Sequence, residues 1–269
     1  MRSKVGFIGC GNMAQAIIKG MVKAKVIENS SIMVSNPSSE KLEKIKEECG
    51  VSITNDNKQI ALESDIIVLS VKPNKYEEVI DEIKELVQKT AVIVIIAAGV
   101  SIEKTRIMFK NNKISVVRAM PNTPALVGEA MTAVAPCKEI NEAELKEVME
   151  IFNAFGKCEI VDEKLMDVVT GVSGSSPAYV YMFIEAMADA AVLNGMPREK
   201  AYKFAAQSVL GAAKMVLETG NHPGKLKDDV CSPSGTTIEA VYTLEKTGFR
   251  SSVISAVDAC VKKSKLMSK

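Results

Sequence analysis

Two short runs of the sequence combine small and hydroxyl residues in patterns that could bind anions. The first has Gly9, Gly11 and Ala14 in the spacing G-x-G-x-x-A, between an apolar run and an apolar periodic segment. Gly9 permits a sharp turn, Gly11 lets a phosphate approach the backbone, and a helix starting there favours negative charge. We interpret this run as a binding site for the pyrophosphate of a dinucleotide.

The second run is SPSGTT at residues 232–237, directly before another apolar periodic segment. A hydroxyl-rich loop that leads into a helix offers several donors to an anion, and a small carboxylate would fit. The alternative is an ordinary capped helix start, which uses the same residue types. We favour a substrate site, because a domain that binds a dinucleotide needs a second ligand beside it.

The first half of the chain alternates β-branched runs with amphipathic segments. After the first strand and helix, we predict strands at 31–35, 65–71, 91–96 and 114–118, with helices at 77–88 and 102–109. Continuous apolar strands that alternate with helices predict a parallel sheet covered on both faces, which is an α/β fold.

Strand-like runs disappear after Val161, and residues 163–269 are predicted to form helices rich in alanine, valine and methionine. One of these helices begins at Ser176, before a proline in its first turn, and ends at Gly195. We therefore predict a dinucleotide-binding domain at 1–162 and an all-helical domain at 163–269.

The apolar and small faces of the predicted C-terminal helices are broader than one domain of this size can bury by itself. Exposed apolar faces of this kind are typical of subunit interfaces. We therefore expect at least a homodimer, assembled through residues after Glu163, and a higher oligomer could be built from such dimers.

Three loops follow strands of the predicted sheet. In an open α/β sheet, ligands bind beyond the carboxyl ends of the strands, so these loops should line the cofactor cleft. An ordinary solvated side chain is an equally good interpretation of Lys72. The residues assigned to the cleft are Val71, Lys72, Pro73, Ala97, Ala98, Gly99, Pro121 and Asn122.

The end of the second predicted strand bears on the choice of cofactor. Folds that select NAD place an acidic residue there to bind the adenosine ribose, whereas this chain has Ser35, Asn36 and Ser38. The lack of a carboxylate favours NADPH, although an ordinary turn explains the same residues equally well and NADH stays possible.

The composition excludes several classes of partner. Lys and Arg total 34 against 33 Asp and Glu, a net charge of +1, so the chain has no basic field for nucleic acid phosphates. Aromatic residues make up 4% and tryptophan is absent, so platforms for stacking bases are also lacking. We expect no nucleic acid partner.

The six cysteines include no C-x-x-C pair, and the single histidine, His222, lies in a predicted turn. We therefore expect no metal site and no histidine-based catalysis. With no secretory leader and no apolar run long enough to span a bilayer, we expect a cytoplasmic protein with free thiols and no membrane partner. Cys10 lies beside a predicted helix start, where a thiol pKa can fall, but we interpret it as a spacer.

Six motifs, taken in order, resemble those of pyrroline-5-carboxylate reductases, and the match runs nearly end to end. The resemblance implies NAD(P)H-dependent reduction of 1-pyrroline-5-carboxylate to L-proline. It also implies a Rossmann domain followed by an all-α dimerisation domain. The motifs are GCGNMA from Gly9, SVKP from Ser70, AAG from Ala97, RAMPNTP from Arg118, TGVSGSSPAY from Thr170 and SPSGTT from Ser232.

The resemblance also implies roles for individual residues, and it assigns cofactor contacts to Gly9, Cys10, Gly11, Asn12 and Met13. Ser35 and Asn57 match positions that contact the 2′-phosphate of NADPH, and Glu163 is a less specific match to the substrate site. Thr237 is our candidate catalytic residue, placed to hydrogen-bond the ring nitrogen of the imine. The implied substrate-binding residues are Ser232, Thr236, Thr237 and Glu163.

Three positions depart from the family pattern. Ser176 and Ser234 stand where glycine is usual, and Cys231 often corresponds to serine. The added side chains at 176 and 234 are expected to narrow the loop or alter its dihedral angles, which bears on substrate fit.

Two other functions are compatible with the same two-domain plan. One is another imine or 3-hydroxyacid reductase, but the hydroxyacid dehydrogenases carry a catalytic lysine at the position that Val180 occupies here. The other is a cofactor-binding protein without catalysis, against which the intact hydroxyl loop argues.

Overall fold

The computed structural model describes residues 3–267. They form two compact units, one of residues 3–175 together with 260–267 and the other of Ser176–Ala259. The first unit contains an eight-stranded sheet in the order β3-β2-β1-β4-β5-β6-β7-β8. The strands are β1 (Val5–Ile8), β2 (Ile32–Ser35), β3 (Ser52–Thr54), β4 (Ile66–Leu69), β5 (Val92–Ile95), β6 (Ser115–Met120), β7 (Ala130–Pro136) and β8 (Gly156–Ile160).

Helices connect most strands of the first unit, and the second unit consists of helices joined by short loops. A π-helix at Thr170–Gly174 lies between α7 and α8. The α-helices are α1 (Asn12–Ala24), α2 (Ser39–Cys49), α3 (Asn57–Glu63), α4 (Tyr76–Ile83), α5 (Ile102–Phe109), α6 (Glu142–Asn153), α7 (Met166–Val169), α8 (Ser176–Leu193), α9 (Arg198–Thr219), α10 (Pro223–Val230), α11 (Thr236–Lys246) and α12 (Phe249–Met267).

The central strands are buried on both faces, as their continuous apolar sequences predict. Every residue of β1, β4 and β5 is buried. One face packs against helices through a cluster that includes Ile17 and Phe152, and the other through a cluster that includes Tyr76 and Ile80. The predicted parallel α/β sheet is confirmed, because hydrophobic burial on both faces requires helices on both sides.

Three strands were not predicted, and one of them changes the topology. β7 pairs with β6 in the antiparallel direction, while all other neighbouring strands are parallel. β3 has three half-buried residues, and β8 is mostly exposed at the sheet edge. These short or exposed strands lack the long apolar run that identifies a central strand.

The predicted all-helical character of the C-terminal region is confirmed. Helix α8 begins at Ser176 and is followed by Gly195 with a positive φ of 91°, as the stop signal predicts. The predicted domain boundary follows Asp162, whereas the compact units divide after Ser175. The intervening segment belongs to the first unit because Met166 is fully buried in a cluster with Met120 and neighbouring alanines.

Candidate active site

The glycine-rich turn between β1 and α1 has a conformation that requires glycine at its first position. Gly9 has φ +103°, which L side chains rarely adopt, and a Cβ there would lie 2.8 Å from the Ser70 carbonyl oxygen. The Gly9 N–H donates to the Ser35 carbonyl oxygen at 2.8 Å. The turn is therefore pressed against both neighbouring strand ends, which leaves no room for a side chain.

Steric crowding within the protein does not explain the glycine at position 11. A Cβ added at Gly11 would meet no protein atom within 4 Å, so packing inside the chain does not require glycine there. Gly11 is also the N-cap of α1 and provides no side-chain hydrogen bond to the first turn of that helix. The open backbone and uncapped N–H groups fit a phosphate that approaches closely from outside.

Three side chains brace the turn. The Ser70 hydroxyl lies 2.8 Å from the Gly9 carbonyl oxygen, and Gln15 Nε2 donates to the Cys10 carbonyl oxygen at 3.1 Å. The Cys10 N–H donates to Asn36 Oδ1 at 3.1 Å, so this amide is already used within the protein. Sequence analysis did not predict these bracing roles. The signals in the sequence were Asn36 and Ser70, which directly follow β2 and β4.

The Cys10 side chain supports its interpretation as a spacer. It is 1% exposed, and burial raises the pKa of its thiol despite the neighbouring Lys41. A buried thiol with a raised pKa is a poor nucleophile. Cys10 therefore contributes to the turn through its backbone.

Ser35 and Asn57, assigned to the adenosine end of the cofactor, lie in contact with each other. The Ser35 hydroxyl is 2.7 Å from Asn57 Oδ1, and Ser35 is fully buried. Asn57 Nδ2 donates to Glu82 Oε2 at 2.7 Å, a carboxylate that sequence analysis did not consider. The structure thus brings the two assigned residues together but directs the Ser35 hydroxyl into the protein.

The three predicted cleft loops lie along one edge of the sheet. Ile8, Leu69 and Ile95 are paired in register, so the carboxyl ends of β1, β4 and β5 are level. Lys72 is exposed beyond β4, whereas Asn122 beyond β6 is only 8% exposed. This places the assigned residues at the edge where ligands bind in open α/β sheets, on loops after β4, β5 and β6: Val71, Lys72, Pro73, Ala97, Ala98, Gly99, Pro121 and Asn122.

In the second unit, the SPSGTT run forms the start of α11. Gly235 is the N-cap and offers no side-chain cap, so the capped-helix alternative is not supported. In the described part of the chain, the hydroxyls of Thr236 and Thr237 make no hydrogen bond to other protein groups. The first turn of α11 therefore presents both backbone N–H groups and free hydroxyls.

Ser234 shows what the departure from glycine does to this loop. It has φ +56°, a left-handed conformation that costs a non-glycine residue about 1–2 kcal/mol. The loop keeps a glycine-type backbone although it carries a side chain. The next residue, Gly235, is closely packed, because an added Cβ would lie 2.3 Å from Ser232 Oγ and the serine side chain would have to move.

Glu163, the less specific substrate assignment, is held within the first unit. Its Oε1 accepts a hydrogen bond from the Ile102 N–H at 2.8 Å and lies 3.5 Å from Arg118 Nη1. Arg118 is 5% exposed, and its Nε and Nη2 atoms have no hydrogen-bond partner among residues 3–267. Glu163 is thus the counter-charge of a buried guanidinium, and a substrate contact stays a prediction.

Comparisons with known proteins agree with this geometry. A family model described as pyrroline-5-carboxylate reductase dimerisation matches residues 163–267, and one described as NADP oxidoreductase coenzyme F420-dependent matches residues 4–99. The pyrroline-5-carboxylate reductase of Escherichia coli (strain K12) is 50% identical over 270 residues, covering 100% of both chains. The chain belongs to the pyrroline-5-carboxylate reductase family.

Solved structures support the same assignment. A pyrroline-5-carboxylate reductase from Coxiella burnetii has a TM-score of 0.94 at 36% identity, covering 100% of both chains. The Plasmodium falciparum pyrroline carboxylate reductase, solved with NADP bound, has a TM-score of 0.89 at 35% identity, covering 100% of this chain and 99% of that one. The predicted family and the predicted Rossmann fold with a helical dimerisation domain are therefore confirmed, and the family supports NAD(P)H binding and homo-oligomerisation.

Among residues 3–267, the side chains form no cluster of three or more His, Cys, Asp and Glu that could hold a metal ion. Nor does any helix in that range combine the length and apolar character needed to cross a bilayer.

The two glycines of the turn should respond differently to substitution. Gly9→Ala forces a side chain into the left-handed region and against the Ser70 carbonyl, so we expect it to destabilise the protein by about 1–3 kcal/mol. Gly11→Ala meets no protein atom, so the melting temperature should stay unchanged. The added methyl should instead raise the NADPH dissociation constant by roughly tenfold, because it occupies the path of the phosphate.

Thermal unfolding and a cofactor titration of each purified variant measure the two effects. If Gly11→Ala bound NADPH as tightly as the unsubstituted protein, the pyrophosphate would have to lie elsewhere.

Proposed function

We propose that this protein reduces 1-pyrroline-5-carboxylate to L-proline with NADPH, which is the last step of proline biosynthesis. The observation that carries the proposal is similarity over the full length to enzymes named for this reaction, at 50% identity for the Escherichia coli relative. The helix starts at Gly11 and Gly235, two of those that lack a side-chain cap, would supply the two anion-binding positions that a dinucleotide and an amino-acid-like substrate need.

The first helix start fits the cofactor. The turn at Gly9–Gly11 and the first turn of α1 would bind the pyrophosphate, and the loops after β4, β5 and β6 would hold the nicotinamide end. When bound, the reduced cofactor supplies the hydride. We propose NADPH over NADH because no carboxylate follows β2, where Asn36 braces the turn instead.

The second helix start fits the substrate carboxylate. Backbone N–H groups at the start of α11, with the hydroxyls of Ser232 and Thr236, would bind the carboxylate of the ring. Thr237 is half-buried and its hydroxyl is free to hydrogen-bond the ring nitrogen. The nitrogen must carry a proton before the adjacent carbon accepts a hydride, so this hydroxyl would orient the imine and could relay its proton.

The proposed reduction requires few catalytic side chains besides Thr237. A protonated ring imine is already a good hydride acceptor, so positioning contributes most of the acceleration. This agrees with a site built from backbone N–H groups and hydroxyls. The only histidine, His222, accepts a hydrogen bond from the Gly224 N–H as the N-cap of α10.

We further propose a homodimer in the cytoplasm that acts without nucleic acid or membrane partners. An apolar groove of about 870 Å³ lies on the helical unit, with Met182, Phe183 and Phe249 in its lining. Apolar surface of this extent on a dimerisation domain fits a second copy of the chain. The net charge of +1 and six free cysteines fit the absence of nucleic acid and a reducing compartment.

Purified protein should oxidise NADPH only when 1-pyrroline-5-carboxylate is present, and the product should be proline. Absorbance at the nicotinamide band follows the cofactor, and mass spectrometry identifies the product. In the same assay NADH should give a lower kcat/KM. Bound NADPH with no turnover of the imine would contradict the proposed reaction.

Replacing Thr237 by valine keeps the branched shape and removes the hydroxyl. If the proton passes through this hydroxyl, kcat should fall by roughly 10²–10⁴-fold, and by less if the hydroxyl only orients the nitrogen. The melting temperature should not change, because the hydroxyl caps no helix in the structure. Thr247→Val at the other end of α11 is the matched control and should keep full activity. Normal kcat/KM in Thr237→Val would remove Thr237 from the site.

Light scattering at micromolar concentration should give the mass of a dimer or a larger assembly. Met182→Asp introduces a charge into the apolar groove, where Met182 is 69% exposed, and should shift the protein towards monomer. Leu62→Asp on α3, where the side chain is 54% exposed, is the control and should leave the mass unchanged. A monomeric unsubstituted protein would refute association through the helical unit.

A further inference from the structure

The Asn122 side chain lies between two segments that are far apart in sequence. Its Nδ2 donates to the Ser173 carbonyl oxygen at 3.0 Å, and its Oδ1 accepts from the Met131 N–H at 3.0 Å. The residue is 8% exposed, so both ends of its amide are used within the protein. Asn122 therefore links the end of β6 to the start of β7 and to the segment before α8.

Ser173 lies in the π-helix Thr170–Gly174, where the Ser175 N–H donates to the Thr170 carbonyl oxygen five residues earlier. In a continuous α-helix, the donor to the Ser173 carbonyl would be the N–H of residue 177. That residue is Pro177, which has no N–H. The helix is also interrupted at Ser175, and the Asn122 amide is the donor that the Ser173 carbonyl oxygen receives.

The segment that Asn122 holds packs against a cofactor loop. Met166 and Val169, in the helical turn before the π-helix, belong to an apolar cluster with Met120 and Ala98. Ala98 lies in the loop after β5, which the proposed function assigns to the nicotinamide end. A shift of the π-helix would therefore reach that loop through direct packing.

We propose that Asn122 is a positioning residue, which fixes the π-helix against the cofactor edge of the sheet by donating to the Ser173 carbonyl oxygen. This rests on the proposed function for the reaction that is positioned. The Asn122 side chain then acts through the Ser173 carbonyl and the Ala98 loop, because both ends of its amide are hydrogen-bonded within the protein. Loss of the clamp should slow hydride transfer and leave cofactor affinity unchanged.

Asn122→Asp is the most selective test, because it keeps an acceptor for the Met131 N–H and replaces the donor with a carboxylate oxygen that faces the Ser173 carbonyl. We expect kcat to fall by roughly 10²-fold, the scale of a small misplacement of reacting groups. The NADPH dissociation constant should not change, and 4-deuterated NADPH should show a larger isotope effect on kcat. Asn112→Asp, an exposed asparagine in a loop, adds the same charge and should have no effect.

Two outcomes of the Asn122→Asp measurements would contradict the clamp. A raised NADPH dissociation constant with normal kcat would make Asn122 a cofactor ligand, and a lowered melting temperature with normal kcat would make its role purely structural; either result overturns the proposal.

Hydrogen exchange of the free protein separates this proposal from the proposed reaction. Amides of residues 170–178 should exchange faster in Asn122→Asp than in the unsubstituted protein, whether or not the imine is turned over. Unchanged exchange would refute the clamp. Absence of turnover in the unsubstituted protein, with faster exchange in the variant, would refute only the proposed reaction.

Discussion

Backbone N–H groups at the start of a helix must find acceptors, and the two helix starts that we assign to ligands have no side-chain cap. The N-caps of α1 and α11 are Gly11 and Gly235, and neither offers a side-chain acceptor. By contrast, α3, α5 and α6 are capped by Asp56, Ser101 and Asn141. Helix starts without a side-chain cap are suited to external anions, and hydrogen bonds from neighbouring elements hold the one at Gly11 in place.

The backbone next to both helix starts adopts conformations with positive φ angles. Gly9 adopts a left-handed conformation against the Ser70 carbonyl, and Asn36 holds the Cys10 N–H so that the turn cannot relax. In the helical unit, Ser234 accepts a left-handed conformation although it is not glycine. Gly9 adopts its conformation freely, whereas the conformation of Ser234 is strained, and strain of this kind is common at binding sites.

The sequence predicted the parts of this arrangement that depend on local chemistry. The glycine turn, the buried parallel strands and the helical C-terminal region all follow from residue type and period over short windows. It did not predict the antiparallel β7, whose direction is set by pairing with β6. Nor did it predict that Ser35 would be fully buried or that Asn122 would bridge two distant segments, because both depend on partners brought together only by the fold.

The most direct test of the two open helix starts follows backbone amide signals by NMR in ¹⁵N-labelled protein. Titration with NADP⁺ should shift the amides of Gly11, Asn12 and Met13, and the product proline, added to the NADP⁺ complex, should shift those of Thr236 and Thr237. The Cys10 amide, already bonded to Asn36, should move less than its neighbours. If either ligand bound and left its helix start unshifted, the account of that helix start as an anion site would be contradicted.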